Sequence, residues 1–307
     1  MPSYGRPDIA LRTVKQISSQ IKGVHEKNRD FKFMFHLSIN ADPSYDLQLF
    51  LQYCDFVSTN QINEGAARNI NNGFAVSVLN NYDYLWIIGD DEPFPSAALE
   101  NITKALTENP DTVMLIGSRS ALGAHYSNLE SWQELYVLSG YTITFISAVI
   151  YKVCFSISDI EKSNEFCFTE YPYLAMQQII LYKQDNPKFS LIPVQKIVDY
   201  DYKIKVDPLK PRRGYGKRDS RIFFGRILST LVLTDSKVIK REFLKWWRQN
   251  WHRFSMYIDE NDFLGRLVFG YSARYLRLWP ILVISLLPYW KLKELLRPVK
   301  SSSRVRP

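Results

Sequence analysis

The first two hundred residues alternate between short apolar runs and longer stretches with helical periodicity. In residues 8–28, Ile9, Val14, Ile17 and Ile21 fall roughly on one face and Asp8 stands where a cap is wanted, which predicts a helix. Residues 31–39 (FKFMFHLSI) alternate and are rich in aromatics, as a strand does. After a polar turn, 45–53 reads as a helix, 56–58 as a short strand and 64–81 as a further helix with Gly65 in its first turn. Residues 84–88 (YLWII) form an unbroken apolar run between polar neighbours, which suits a strand buried on both faces. A helix over 96–106 and a buried strand over 112–116 (TVMLI) follow. Strands alternating with helices predict an α/β fold with a mostly parallel sheet flanked by helices.

Beyond residue 120 the pattern loosens. Residues 142–151 (TITFISAVIY) read as a strand or buried segment, and 173–182 as a helix. Residues 203–221 are polar, basic and punctuated by Pro and Gly, so a domain boundary belongs there. This divides the chain into a first domain over 1–203 and a basic, aromatic-rich helical extension over 204–307. No internal repeat is evident.

Charge sharpens that division. Residues 1–203 carry 16 Lys and Arg against 23 Asp and Glu, a balance of −7, whereas residues 204–307 carry 23 against 8, a balance of +15. In the extension, Trp246, Trp247, Trp251, Trp279 and Trp290 interleave with Tyr, Arg and Lys, a composition suited to an anionic membrane interface. The longest apolar run there, residues 279–290, is too short to span a bilayer. A nucleic-acid partner is not expected, because the first domain is acidic and no nucleic-acid motif occurs. The cysteines, Cys54, Cys154 and Cys167, are odd in number and widely spaced, as reduced core residues are. No leader-like segment opens the sequence, so the expected location is the cytoplasm, peripherally on the inner face of the membrane.

The candidate chemistry sits directly after the YLWII run. Asp90, Asp91 and Glu92 are three consecutive carboxylates, which repel one another unless something compensates. Mg²⁺ or Mn²⁺ compensates well, because these cations prefer hard oxygen ligands and complete their shells with substrate phosphates. Gly89 permits close approach, while Pro93 and Pro95 stiffen the exit. In parallel sheets, ligands bind beyond the carboxyl ends of strands, which is where this turn falls. A solvated acidic loop would have the same composition.

Two other stretches are distinctive. Residues 63–73 (NEGAARNINNG) begin a helix with Gly and Ala, where backbone N–H groups can face an anion and Arg68 can reach a phosphate. An ordinary helix ending at Gly73 is the plainer alternative. Residues 2–7 (PSYGRP) are, alone, a turn before a helix.

In their order along the chain, P-S-Y-x-R-P, N-x-G-x-x-x-N-x-x-x-G and Y-L-W-I-I-G-D-D-E resemble the family 2 glycosyltransferases of GT-A (Rossmann-like) fold. The likeness is to the bacterial surface-polysaccharide and O-antigen type, including abequosyltransferase-like members. It covers roughly residues 2–116. The resemblance implies a metal-assisted, inverting transfer from a nucleotide-sugar donor to a saccharide or lipid-linked saccharide acceptor. It implies that Asp90, Asp91 and Glu92 hold a divalent cation (Mn²⁺ or Mg²⁺) and that Asp90 also faces the donor. Pro2, Ser3, Tyr4 and Arg6 would line the nucleotide pocket, with Asn63, Gly65 and Arg68 near the nucleotide and diphosphate. Glu170, in F-T-E-Y-P-Y-L, matches the family's general base, with Glu165 and Asp159 as rivals.

This sequence departs from the family pattern in places. Where relatives carry an acidic residue at the end of the second strand, Ile39 stands here, with Asn40 and Asp42 adjacent; Asn40 is the candidate donor contact. Glu92 replaces the more usual Asp. Relatives also have an apolar first strand ahead of the P-S-Y segment, so an upstream reading frame is expected to supply one. A nucleotidyltransferase shares the same carboxylate, metal and diphosphate chemistry, and a catalytically decayed binding protein would keep the same motifs.

Overall fold

The computed structural model describes residues 1–27, 29–118, 145–167 and 172–199, with a few positions (125–126, 135, 139 and 142–143) between them. The proposed extension over 204–307 and Glu170 both lie outside the described residues.

Three short parallel strands form a first sheet in the order β1-β2-β3: β1 (Pro2–Ser3), β2 (His36–Ile39) and β3 (Phe56–Thr59). Helix α1 (Pro7–Lys27) connects β1 to β2, and the short α2 (Leu47–Leu51) connects β2 to β3. Helix α3 (Gly65–Leu79) then leads to β4 (Tyr84–Trp86), and α4 (Ala98–Glu108) to β5 (Thr112–Ser118). The remaining elements are β6 (His125–Tyr126), β7 (Val149–Lys152), α5 (Ile157–Asn164), α6 (Pro172–Lys183) and β8 (Lys188–Pro193).

Strands β4 to β8 make a second sheet in the order β4-β7-β5-β8-β6. Here β5 and β8 run parallel, while β7 is inserted antiparallel between β4 and β5, and β6 pairs antiparallel with β8. The parallel expectation thus holds for the first sheet, and the second is mixed. The fold is α/β, with a parallel sheet and flanking helices.

Alternation along the strands builds two cores. Val149 and Tyr151 of β7 face a cluster with Phe74, Leu174, Ile180 and Phe189, whereas Ile150 faces a second cluster with Val14, Ile17, Leu37 and Leu99. Strand β5 does the same with Met114 and Ile116 against Leu115. A register shift between Thr112 and Met114 turns Val113 to the same core as Met114, as a bulge does. Helices α1 and α4 therefore cover one side, and α3, α5 and α6 the other.

Several elements are shorter than the hydrophobic pattern predicts. Only residues 36–39 of the 31–39 run are a strand, because β1 and β3 pair no further back; Phe31 and Phe33 instead pack on the second core from irregular backbone. Likewise, only residues 84–86 of YLWII pair, and β4 is a half-buried edge strand rather than one buried on both faces. Ile87 and Ile88 supply the burial beyond it. Helix α3 runs through Gly73 to Leu79 instead of ending there; a β-carbon at Gly73 would lie 3.4 Å from Ile87, ordinary packing distance. The three cysteines are free thiols. No helix among the described residues is long and apolar enough to cross a membrane.

Candidate functional site

The acidic turn leaves β4 and is sewn to its surroundings on both arms. Below it, Gly89 N donates to Ser147 Oγ at 2.9 Å and the Trp86 indole donates to Ser147 O at 2.8 Å. Beyond it, Pro93 and Pro95 offer no amide hydrogen, and the segment joins no sheet, so its carbonyls need donors from elsewhere. The Asp199 amide serves Pro93 O at 3.0 Å, and helix α1 serves three others from one stripe spaced i, i+3, i+7. Thr13 Oγ1 donates to Asp90 O at 2.9 Å, Gln16 Nε2 to Phe94 O, and Gln20 Nε2 to Pro95 O at 2.9 Å. Gln20 Oε1 in turn accepts Leu99 N at the start of α4.

Within the turn, the three carboxylates part company. Asp90 is 2% exposed and takes Ser3 Oγ at 2.5 Å, with Arg6 Nη2 on its other oxygen. Arg6 Nη1 donates to Asp91 Oδ2 at 2.6 Å, so one guanidinium bridges the two aspartates. Burial is the largest influence on the Asp90 carboxyl and raises its pKa, opposed by Arg6, Ser3 Oγ and the Tyr4 amide. Glu92 folds its side chain back over Gly89 and is buried there. Among the described residues, no three His, Cys, Asp or Glu converge as a metal cage.

A closed circuit joins Arg6 to Asp90. The Arg6 amide donates to the Tyr45 hydroxyl at 3.3 Å, and that hydroxyl lies 2.6 Å from Ser3 Oγ. Since Ser3 spends its only hydroxyl hydrogen on Asp90, Tyr45 is the donor to Ser3. The Arg6 guanidinium then returns to the far oxygen of Asp90. Gly5, at φ 69°, makes the turn and donates its amide to Asp42 Oδ2 at 2.6 Å, where Ser44 also holds the carboxyl below its ordinary pKa.

Asn40 starts a second, adjoining cluster. Its amide donates to Ser3 O at 2.9 Å, which ties the two clusters together. Asn40 Oδ1 accepts Glu64 N at 3.0 Å and Asn60 Nδ2 at 3.2 Å, and Asn40 Nδ2 donates to Asn63 Oδ1 at 2.6 Å. Asn63 Oδ1 also accepts Gly65 N at 3.0 Å. Asn40, just past β2, and Asn63 in the loop before α3 therefore cap that helix, whose own N-cap Glu64 makes no side-chain cap bond.

Of the residues singled out from sequence, Ser3, Arg6, Asp90 and Asp91 meet directly. Pro2 and Ser3 form β1, and Tyr4 follows directly, 53% exposed. Asn40, Asn63 and Gly65 form the adjoining cluster, and Arg68 stands exposed one turn into α3. Glu165 is an exposed residue ending α5. Asp159 is not placed as a base: it is buried, closes a capping box with Ser156 and is paired with Lys183. Tyr45, Thr13, Gln16, Gln20 and Ser147 were not singled out. Only the polar stripe within α1 carries a readable signal. A groove of about 310 Å³ between α1 and α4, lined by Gln16, Gln20, Lys27 and Glu100, contains none of residues 89–92.

Two solved structures of S. aureus TarS are similar to this chain. One, of residues 1–349, is 14% identical with a TM-score of 0.42, covering 62% of this chain and 56% of that one. The other is 13% identical with a TM-score of 0.44, covering 62% and 34%. The chain thus spans about half of the first and a third of the second. No protein-family model and no curated protein matches the chain.

Proposed function

We propose that this chain is a glycosyltransferase that moves a sugar from a nucleoside-diphosphate donor to a saccharide acceptor. The observation that carries the reading is the convergence of Ser3, Arg6, Asp90 and Asp91 where β1 ends and the chain leaves β4. A basic fork beside two carboxylates supplies the groups a diphosphate and its counter-cation require. The donor set fits Mg²⁺ or Mn²⁺: hard carboxylate oxygens from Asp90 and Asp91, with remaining positions left to phosphate and water. When bound there, the cation supplies electrostatic stabilisation of the leaving diphosphate.

In the reaction, an acceptor hydroxyl attacks the anomeric carbon, the bond from that carbon to the diphosphate oxygen breaks, and the hydroxyl proton passes to a base. Glu170 is our candidate for that base, with Glu165 the remaining rival. Ser3 and Tyr45 fix Asp90 in place, and Arg6 supplies positive charge beside the departing phosphates. We further propose surface polysaccharide of O-antigen type as the product, a lipid-linked acceptor, and peripheral attachment through residues 204–307 to the cytoplasmic face of the membrane.

A thermal-shift screen of nucleotide sugars with Mn²⁺ or Mg²⁺ tests this reading. One donor class should raise Tm in a metal-dependent way, and EDTA should abolish transfer. Failure of every donor to stabilise the chain, with or without metal, would reject it.

A further inference from the structure

Arg6 is the cation already resident on the acidic turn. Its fork does not grip one carboxylate bidentately but spans two, with Nη1 on Asp91 and Nη2 on Asp90. Its side chain is 41% exposed, against 2% for Asp90 and 23% for Asp91, so the guanidinium closes the pair from the solvent side. The backbone that carries it is fixed. Gly5 N is held by Asp42, Arg6 N by Tyr45, and Arg6 O accepts Ala10 N at 2.9 Å in the first turn of α1. The side chain is therefore the part that can change partners.

A guanidinium has no lone pair to offer a metal and carries the same sign of charge. A divalent cation on the same carboxylate oxygens meets that like charge at short range and draws on lone pairs that the guanidinium now uses. We propose that Arg6 and the divalent cation compete for Asp90 and Asp91, and that the displaced guanidinium transfers its fork to the donor's phosphates. This rests on the glycosyltransferase reading above. Two oxygens of a phosphate accept that fork bidentately, as the two of a carboxylate do. The exchange makes metal and diphosphate bind cooperatively. Metal alone must evict Arg6 with no new partner for it, whereas metal with diphosphate gives Arg6 an anion in return. The residue thus guards the site against empty metal loading.

The test uses the full chain with Mn²⁺ and inorganic pyrophosphate, which leaves the base and sugar out of the question. Mn²⁺ binding is measured by calorimetry and by loss of the free-ion paramagnetic signal, with and without pyrophosphate, for wild type, Arg6→Gln and Arg6→Lys. Arg6→Gln should bind Mn²⁺ alone roughly tenfold tighter, the factor a single removed ionic competitor contributes. Pyrophosphate should tighten Mn²⁺ binding in wild type and do so far less in Arg6→Gln. Arg6→Lys, whose point charge cannot span both carboxylates, should fall between them. Thermal unfolding identifies a variant that fails to fold, in which case the other carries the comparison. If wild type binds Mn²⁺ and the folded variants bind it no tighter, the exchange is wrong while the functional reading stands. If none of the three binds Mn²⁺ with or without pyrophosphate, both are wrong.

Discussion

Glu92 lies so close over Gly89 that a β-carbon at position 89 would sit 2.8 Å from its carboxyl carbon. The glycine therefore makes room for a buried side chain of the same turn. Gly89→Ala should cost about 1–3 kcal/mol, as overpacking does. Combining it with Glu92→Ala should remove most of that extra cost, because the clashing atoms are gone. Urea denaturation of the two single variants and the double variant measures the coupling. Full additivity would mean that the glycine serves something other than this contact.

The circuit through Tyr45 and Ser3 makes a second prediction. Tyr45→Phe removes the hydroxyl that accepts Arg6 N and donates to Ser3 Oγ. The expected loss is about 1 kcal/mol. Ser3→Ala also leaves a buried oxygen of Asp90 without its hydroxyl donor, and should cost more, about 1–3 kcal/mol. Because the two changes interrupt one chain of bonds, their combined cost should be smaller than the sum.

Burial, and then the nearby Met1 ammonium, hold the His36 imidazole down at about 4, against an ordinary value of 6.5. The folded pKa is the lower one, so between about 4 and 6.5 the unfolded chain binds more protons and stability rises with pH. The contribution is fully present above 6.5 and is lost as pH falls toward 4. Thermal unfolding at pH 4.5, 5.5 and 7 in wild type and His36→Gln checks this, with a shallower dependence expected in the variant.

Asn40 tests how the start of α3 is held. Asn40→Asp would set two acceptor oxygens against each other where Asn40 Nδ2 now donates to Asn63 Oδ1. The cost should be about 1–3 kcal/mol, relieved in part by the favourable position of a carboxylate near a helix N-terminus. A variant as stable as wild type would mean that Asn63 simply rotates to present its amide.

The elements with a long period were the most legible. Helix α1, 21 residues long, declares itself by the apolar stripe through Ile9, Val14, Ile17 and Ile21. Short strands were not bounded by their own residues, because β2 is only as long as β1 and β3 allow. Nor does the apolar run over 142–151 contain the direction of β7, which depends on which strands lie on either side of it. The acidic turn was visible as charge placed after an apolar run. Its partners were not, because Tyr45, Thr13 and Ser147 act through contacts 42, 77 and 58 residues away in sequence. A tyrosine in a polar loop and a threonine in a helix look alike whether they brace a distant turn or face water.

The two sheets share no strand pairing among the described residues, and the acidic turn lies where they approach. Ser3 and Arg6 belong to the first sheet's side of this boundary; Asp90 and Asp91 belong to the second's. A ligand that grips both pairs acts as a rivet through the seam. Its binding energy then adds to the cohesion of the two halves, and hydrogen exchange should slow in β1 and β2 as well as around the turn itself.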